Sequence, residues 1–233
     1  MAVMSINPLK YFPKSCVQYL VMAAVWWPGA ATIAAAARKP NIIFILADDL
    51  GWRDLSCYGS TFYETPHLDQ LAAQGIRFTD AYAACSVCSP TRASILTGKY
   101  PARLHLTDWL PGRPDRPDQK LKRPLIVDHL PLEELTVAEV LKGADYQTAF
   151  FGKWHLGGEK FFPEHQGFDS NLGGCEKGQP PSYFIPLNRP MRLDVPIGEY
   201  LTDRLTDEAL KFIEKEKDRP CFVYLAHYAV HNP

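Results

Sequence analysis

Three short apolar runs, each followed closely by ionisable residues, constrain the fold of this chain more than any other feature. They are residues 41–47, 148–151 and 221–226. Continuous apolar runs of this length, rich in β-branched and aromatic residues, are typical of strands buried in a parallel sheet. Helical patterns lie between them, so the sequence predicts an α/β fold with a mainly parallel sheet flanked by helices.

The ionisable residues that follow the three runs predict a shared site. Asp48 and Asp49 follow the first run, Lys153 and His155 follow the second, and His231 follows the third. Lys153 and His155 are two residues apart and would face the same side if the chain stays extended. In open parallel sheets ligands bind outside the carboxyl ends of the strands, so we expect these five side chains to converge there.

A cysteine stands at the start of a predicted helix in the segment ACSVCSPTRASILTG. We expect Ser89 to be the N-cap, Pro90 the first helical residue and Gly98 the left-handed stop. Arg92 follows Cys88 by about one helical turn, so the two side chains can act as a pair. Free N–H groups at a helix N-terminus favour an anion such as sulfate or phosphate.

Two other interpretations of this cysteine remain open from the residues alone. Cys85 and Cys88 have the spacing of a redox pair or of half a zinc site, and a lone cysteine at a helix start is often structural. A zinc site needs a second ligand pair at short spacing, and the other four cysteines form none. A thioredoxin-type helix would also not place proline and arginine in its first turn.

The adjacent carboxylates Asp48 and Asp49 indicate a cation site. Neighbouring acids repel each other unless a cation or basic groups neutralise them, and their hard oxygens suit Ca²⁺ or Mg²⁺. An ordinary solvated turn is the alternative for an isolated pair of this kind.

The remaining local predictions concern the scaffold. We expect a helix from Thr65-Pro66 to Gly75, a short strand beginning at residues 76–78, and a helix capped by Thr136 with Glu139 and ended by Gly143. A further helix is predicted over residues 201–215. Residues 100–131 and 157–196 are irregular, and the first of these loops is expected to form one wall of a substrate cleft.

The first forty residues differ from the rest and predict export. Two lysines precede an apolar run at residues 16–27, and an alanine-rich tract ends near Ala37, so residues 1–37 have the pattern of a secretory signal peptide. The run is shorter than the roughly 20 residues that span a bilayer, so we expect no stable membrane span. The protein is therefore expected to be periplasmic or secreted. A formal net charge of −1 gives no indication of a nucleic-acid partner.

Several motifs of the sequence resemble those of a known family. Cys88-Ser89-Pro90-Thr91-Arg92 is similar to the signature of the formylglycine-dependent (type I) sulfatases, in which cysteine is followed by serine or alanine, proline, any residue and arginine. The following ASILTGKYPAR, the GKWHLG after the second run and the final HNP also resemble that family. The resemblance implies an alkaline-phosphatase-like α/β sandwich and the hydrolysis of sulfate monoesters, on a small molecule or a carbohydrate.

The resemblance also implies a nucleophile and a metal. A formylglycine-generating enzyme would oxidise Cys88 to 3-oxoalanine (formylglycine) before folding, and one hydroxyl of the hydrated aldehyde would attack sulfur. Asp48, Asp49 and the modified Cys88 would bind one Ca²⁺, which polarises a sulfate oxygen.

The resemblance also implies catalytic roles for four residues that match the family's motifs. Arg92 would hold the diol, Lys153 would bind the sulfate and offset its charge, His231 would be the acid for the leaving alcohol, and His155 would be the base that releases sulfate. His227 does not match the motif.

Full-length members of that family continue past the histidine-x-proline element. Residues 38–233 are therefore predicted to be the N-terminal part of an incomplete catalytic domain, truncated before the C-terminal part and inactive alone. Two rival functions remain: a phosphonate or phosphodiester hydrolase of the same superfamily, and a non-catalytic binding protein or pseudoenzyme with unmodified Cys88.

Overall fold

A computed structural model of the chain describes residues 39–184 and 198–231. The predicted signal peptide over residues 1–37 lies outside this described part, as does part of the predicted loop over residues 157–196. No helix within the described residues is long and apolar enough to cross a membrane.

A four-stranded parallel sheet forms the centre of the fold. Its strands are β1 (Ile42–Leu46), β2 (Gln147–Gly152), β3 (Ser170–Leu172) and β4 (Cys221–Ala226). Their order across the sheet is β1-β4-β2-β3, so β4, the last of these strands along the chain, pairs with both β1 and β2. All pairings among these four strands are parallel, which confirms the α/β prediction.

Four α-helices of the described residues accompany the sheet. They are α1 (Pro66–Gln74), α2 (Cys88–Thr97), α3 (Val137–Gly143) and α4 (Leu201–Lys215). The capping box before α3 is present: the Thr136 hydroxyl accepts a hydrogen bond from the Glu139 N–H, and the Glu139 carboxylate accepts one from the Thr136 N–H. Helix α4 buries Leu201, Leu205 and Ala209, which lie four residues apart on one face, against β2 and β4.

Aromatic side chains fill the core beside β2 and β4. The Phe150 ring stacks on Tyr224 with ring centroids 5.2 Å apart, and meets Trp154 and Phe168 edge to face at 5.2 and 5.3 Å. All four rings are buried. Offset and edge-to-face pairs of this kind add to the stability that area burial provides, so the core fixes the two central strands and the loops that follow them.

Three local predictions differ from the structure. Helix α2 begins at Cys88 after the N-cap Val87, because the Ser89 hydroxyl is buried and accepts a hydrogen bond from a distant backbone N–H, where it cannot cap. Residues 76–78 form no strand and lie exposed, since no described strand pairs with them. Strand β3 lies inside a stretch predicted to be irregular; it is only three residues long and carries little apolar signal.

Candidate active site

Cys88 lies at the edge of the sheet where β1, β2 and β4 end. It is the first residue of α2, and its Sγ atom lies 3.3 Å from Nδ1 of His155. His155 follows β2 in a left-handed backbone conformation (φ 57°). The backbone is therefore not extended at His155, although an extended chain was the condition for Lys153 and His155 to face the same side. Both side chains nevertheless point into the same site, His155 towards Cys88 and Lys153 towards Asp48.

The hydrogen bonds of His155 define its tautomer. Its Nε2 lies 2.7 Å from the carbonyl oxygen of Leu110, which can only accept, so Nε2 carries the proton. Burial lowers the pKa of His155 to about 4, although the Leu110 hydrogen bond opposes this shift. At neutral pH the ring is uncharged, and the lone pair of Nδ1 faces Cys88.

Asp48 is held by two cationic side chains. Its Oδ2 accepts a hydrogen bond from Lys153 Nζ, and its Oδ1 lies 3.2 Å from Arg92 Nη2. Arg92 Nη1 also donates to the Lys153 carbonyl at 2.6 Å. Burial and the neighbouring guanidinium lower the pKa of Lys153, while Asp48 opposes the shift. All three side chains are buried, so the group carries two cations for one carboxylate away from water.

Asp49 has different surroundings from Asp48. Its backbone is left-handed (φ 57°), and its side chain is 60% exposed, against 7% for Asp48. Its Oδ2 lies 3.7 Å from Nε2 of His231, which follows β4. The two carboxylates that look alike in the sequence are therefore engaged by different partners.

A cavity of about 500 Å³ opens above Cys88. Its lining includes predicted residues (Asp49, Cys88, His155, His231) and four that sequence reasoning did not single out (Trp109, Leu110, Gly178, Gln179). Trp109 and Leu110 come from the loop over residues 100–131, which contains neither helix nor strand, in agreement with the predicted cleft wall. Leu110 acts through its backbone and Gly178 through its lack of a side chain, so neither gives a chemical signal in the sequence.

The donor atoms for a metal are oxygens of two carboxylates. A smaller cavity of about 300 Å³ is lined by Asp48, Asp49, Cys88 and Arg92, among others. Within residues 39–184 and 198–231, no group of three or more His, Cys, Asp or Glu side chains is arranged to hold a metal ion. The two carboxylates fit a hard cation in chemistry, while calcium usually takes roughly six to eight oxygens.

Arg92 has an unused donor beside this smaller cavity. Its Nε atom is buried and has no hydrogen-bond partner among the described residues. A buried N–H of this kind fits an additional oxygen, either on residue 88 or on an entering anion.

The cysteine pair does not form a disulfide. Cys85 and Cys88 are both free, as are the other cysteines of the described part. The Cys85 carbonyl accepts a hydrogen bond from the Thr91 hydroxyl at 2.8 Å, which ties the approach segment to the first turn of α2.

Comparison with known proteins identifies the family. Residues 40–233 match the sulfatase family model. Human arylsulfatase A is 40% identical over 230 residues, which cover 85% of this chain and 43% of that protein.

Two solved structures share the fold. The crystal structure of Ps i-CgsB in complex with k-i-k-neocarrahexaose matches with a TM-score of 0.70 and 31% identity, covering 84% of this chain and 46% of that one. BT4656 in complex with its substrate D-glucosamine-2-N,6-O-disulfate matches with a TM-score of 0.66 and 33% identity, covering 84% and 35%.

In each of these comparisons the chain matches only part of the other protein. The chain spans less than half the length of each of these three proteins. Its parallel sheet with flanking helices is the alkaline-phosphatase-like fold of these sulfatases, as predicted. The residues matched by the family model exceed half of the chain, and the chain therefore belongs to the sulfatase family.

Proposed function

We propose that the full-length protein hydrolyses sulfate monoesters on a carbohydrate, with formylglycine derived from Cys88 as its nucleophile. The observation that carries this proposal is the arrangement around Cys88. A helix N-terminus and a neutral histidine with its lone pair towards the sulfur lie at the larger cavity. The buried cationic group lies on the other side of Cys88, where Arg92 and Asp48 line the smaller cavity. That combination suits an oxygen nucleophile and a tetrahedral anion.

The buried cationic group gives the affinity for sulfate. Arg92 and Lys153 share the single carboxylate of Asp48, so one positive charge is left without a counter-charge within the group. Electrostatic attraction is stronger in a buried site than in water, and the group is preorganised by hydrogen bonds. The unused Nε–H of Arg92 provides a further donor for an oxygen of the anion or of residue 88.

The two histidines of the cavity would move protons. His155 has its lone pair on Nδ1, 3.3 Å from the side chain of residue 88, so Nδ1 is the atom that accepts a proton from an oxygen carried there. His231 lines the same cavity and is the proposed acid for the leaving alcohol. The two roles need different protonation states.

Asp48 and Asp49 would hold the calcium ion. When bound, the ion supplies Lewis-acid polarisation of a sulfate oxygen. These two carboxylates offer fewer oxygens than the ion usually takes, so the modified residue 88 and further ligands would have to supply the rest.

The substrate class follows from the relatives and from the cavity. BT4656 takes a disulfated glucosamine and Ps i-CgsB holds a neocarrahexaose, so a sulfated saccharide is the proposed substrate here. Trp109 contributes an aromatic surface to the cavity wall, which suits the apolar face of a sugar ring. Export and maturation by a formylglycine-generating enzyme belong to the same proposal.

Mass spectrometry of the peptide containing Cys88 tests the proposal most directly. We expect the mass loss of aldehyde formation in the full-length protein, and turnover of aryl sulfate that Cys88→Ala abolishes. Cys85→Ala is the matched control and should keep most of the activity. An unmodified thiol in an active preparation, equal losses from both variants, or faster hydrolysis of aryl phosphate or phosphonate esters would contradict the proposal.

A further inference from the structure

Leu110 links the histidine of the site to the helix that carries the nucleophile. Its carbonyl oxygen accepts the Nε2–H of His155 at 2.7 Å, and its N–H donates to the Ser89 hydroxyl at 3.1 Å. Ser89 follows Cys88 in the chain, and Cys88 faces Nδ1 of His155. The contacts therefore form a closed circuit from Cys88 through His155, Leu110 and Ser89 back to Cys88.

Every member of this circuit except Cys88 is buried. Ser89 is fully buried, and His155 and Leu110 are nearly so. A buried serine hydroxyl without a partner would be costly, and here its accepted hydrogen bond holds a loop that has no helix or strand of its own. The hydroxyl thus fixes the position of the one carbonyl that His155 uses.

We propose that Ser89 is a positioning residue, which acts through the Leu110 carbonyl to hold His155 with its proton on Nε2 and its lone pair on Nδ1 towards residue 88. Rotation of the ring about Cβ–Cγ would replace Nδ1 by a carbon atom, and the other tautomer would present a donor in place of an acceptor. Either change removes the proton acceptor from the site. Only the effect on turnover rests on the proposed function; the tautomer itself does not.

Gly178 supports the ring from its face. A Cβ atom added to Gly178 would lie 2.4 Å from Cε1 of His155 and 2.8 Å from each ring nitrogen. Any side chain at this position would therefore displace the imidazole. Gly178 comes from a different segment than Ser89 and Leu110, so it gives an independent way to disturb the same ring.

Nitrogen-15 NMR of the histidine side chains tests the proposal in the unconverted, thiol-containing full-length protein. We expect a single Nε2–H tautomer for His155, assigned with His155→Gln. Ser89→Ala should give a mixture of tautomers or a rapidly exchanging Nε2 proton. Ser94→Ala removes another buried hydroxyl from the same helix, one without a hydrogen-bond partner among the described residues, and should leave the spectrum unchanged.

Alkylation by iodoacetamide gives a second readout on the same protein. A hydrogen bond from the thiol to Nδ1 activates the sulfur, so Ser89→Ala should slow the alkylation of Cys88 about fivefold, the equivalent of one ordinary hydrogen bond. Cys85, in the same molecule, should react at its original rate. After conversion of Cys88, turnover per aldehyde-containing site should fall by a similar factor.

The Gly178→Ala variant keeps the test decisive if Ser89→Ala does not fold. It should alter the same His155 signals, while Gly143→Ala, where an added Cβ meets nothing within 4 Å, should not. Unchanged His155 signals in Ser89→Ala or, if that variant does not fold, in Gly178→Ala would overturn the proposal. Failure of the wild-type protein to form the aldehyde would contradict the proposed function alone, because the tautomer is read without it.

Discussion

Strands β4 and β1 are neighbours in the sheet, and both are apolar in sequence, but their burial differs. All six residues of β4 are buried, whereas Ile43 and Ile45 of β1 are 50% and 59% exposed. Helix α1, which follows β1 in the chain, contains no buried residue. We call β2 and β4 the closed side of the sheet, and β1 with residues 50–82 the open side.

The comparison of β4 with β1 shows that an apolar run predicts a strand but not the burial of its two faces. A run such as IIFIL correctly indicates a strand, but the burial of each face depends on what packs against it. On the closed side, α4 covers the sheet and aromatic rings fill the core. On the open side, the described residues leave one face of β1 uncovered. Stability should therefore depend on the closed side far more than on the open side.

A phenylalanine-to-alanine substitution made on each side should give the strongest contrast in stability. Phe150→Ala removes a ring that is 1% exposed and should lower the free energy of unfolding by about 3–5 kcal/mol or prevent folding. Phe62→Ala makes the same change on the open side, where the ring is 83% exposed, and should cost about 0.5 kcal/mol or less. Urea unfolding of both variants measures the two losses in the free energy of unfolding. Similar losses would contradict the proposed difference between the two sides.

The adjacent carboxylates give the second contrast. Asp48→Asn leaves Arg92 and Lys153 buried without their counter-charge and should cost about 3 kcal/mol. Asp49→Asn changes an exposed side chain and should cost about 0.5 kcal/mol or less. Denaturant unfolding in the presence of a chelator isolates this effect from cation binding. A larger loss from Asp49→Asn would show that stability does not depend on the buried ion pairs of Asp48.

A smaller effect concerns acid stability at the end of β4. Burial lowers the pKa of His227 below its ordinary value of 6.5, so the unfolded chain takes up the proton first as pH falls. The stability contribution of the neutral ring is complete above pH 6.5 and is lost as pH falls through the lower folded pKa. His227→Gln should therefore lose less unfolding free energy between pH 7 and pH 5 than the wild-type protein, by thermal or urea unfolding. Equal losses would show that His227 does not contribute.

The smallest effect is expected at the outward face of β1. Ile45→Ala removes a side chain that is already more than half exposed and should cost about 1 kcal/mol or less, mainly through β-propensity. Val223→Ala on β4, where the side chain is fully buried, should cost more. A cost at Ile45 equal to that at Val223 would indicate that the outward face of β1 is covered in solution, and would remove the contrast between the two sides.

Much of the sheet could be predicted because its strands are long apolar runs with clear ends. The bounds of β4 and α4 agree with the prediction, and the capping box at Thr136 marks the start of α3. Strand β3 could not be predicted, since three residues give too little periodicity. The start of α2 was misplaced because Ser89 has cap chemistry but uses its hydroxyl for a tertiary contact, which no local rule reveals.

The site could be predicted only in part. Ionisable residues at strand ends indicated where the chemistry would lie, because topology brings those ends together. The position of the His155 ring depends on the backbone carbonyl of Leu110 and on the absence of a side chain at Gly178. Neither residue has a reactive or charged side chain that would mark it in the sequence. The separate surroundings of Asp48 and Asp49 also depend on packing, since neighbouring identical residues carry the same sequence signal. Their roles in catalysis stay predictions.

The strand order also means that two neighbouring strands of the sheet, β1 and β4, are synthesised far apart in time. The Cys221 N–H bonds to the Asn41 side chain across 180 residues, and β4 lies between β1 and β2. At about 5–20 residues per second, a ribosome needs roughly 10–40 s to make that stretch. During this interval β1 lacks β4, its sheet neighbour among the described strands, and Cys88 is made well before β4. Topology thus separates the synthesis of Cys88 from that of β4, so for part of this interval the cysteine exists without the strand that pairs with both β1 and β2.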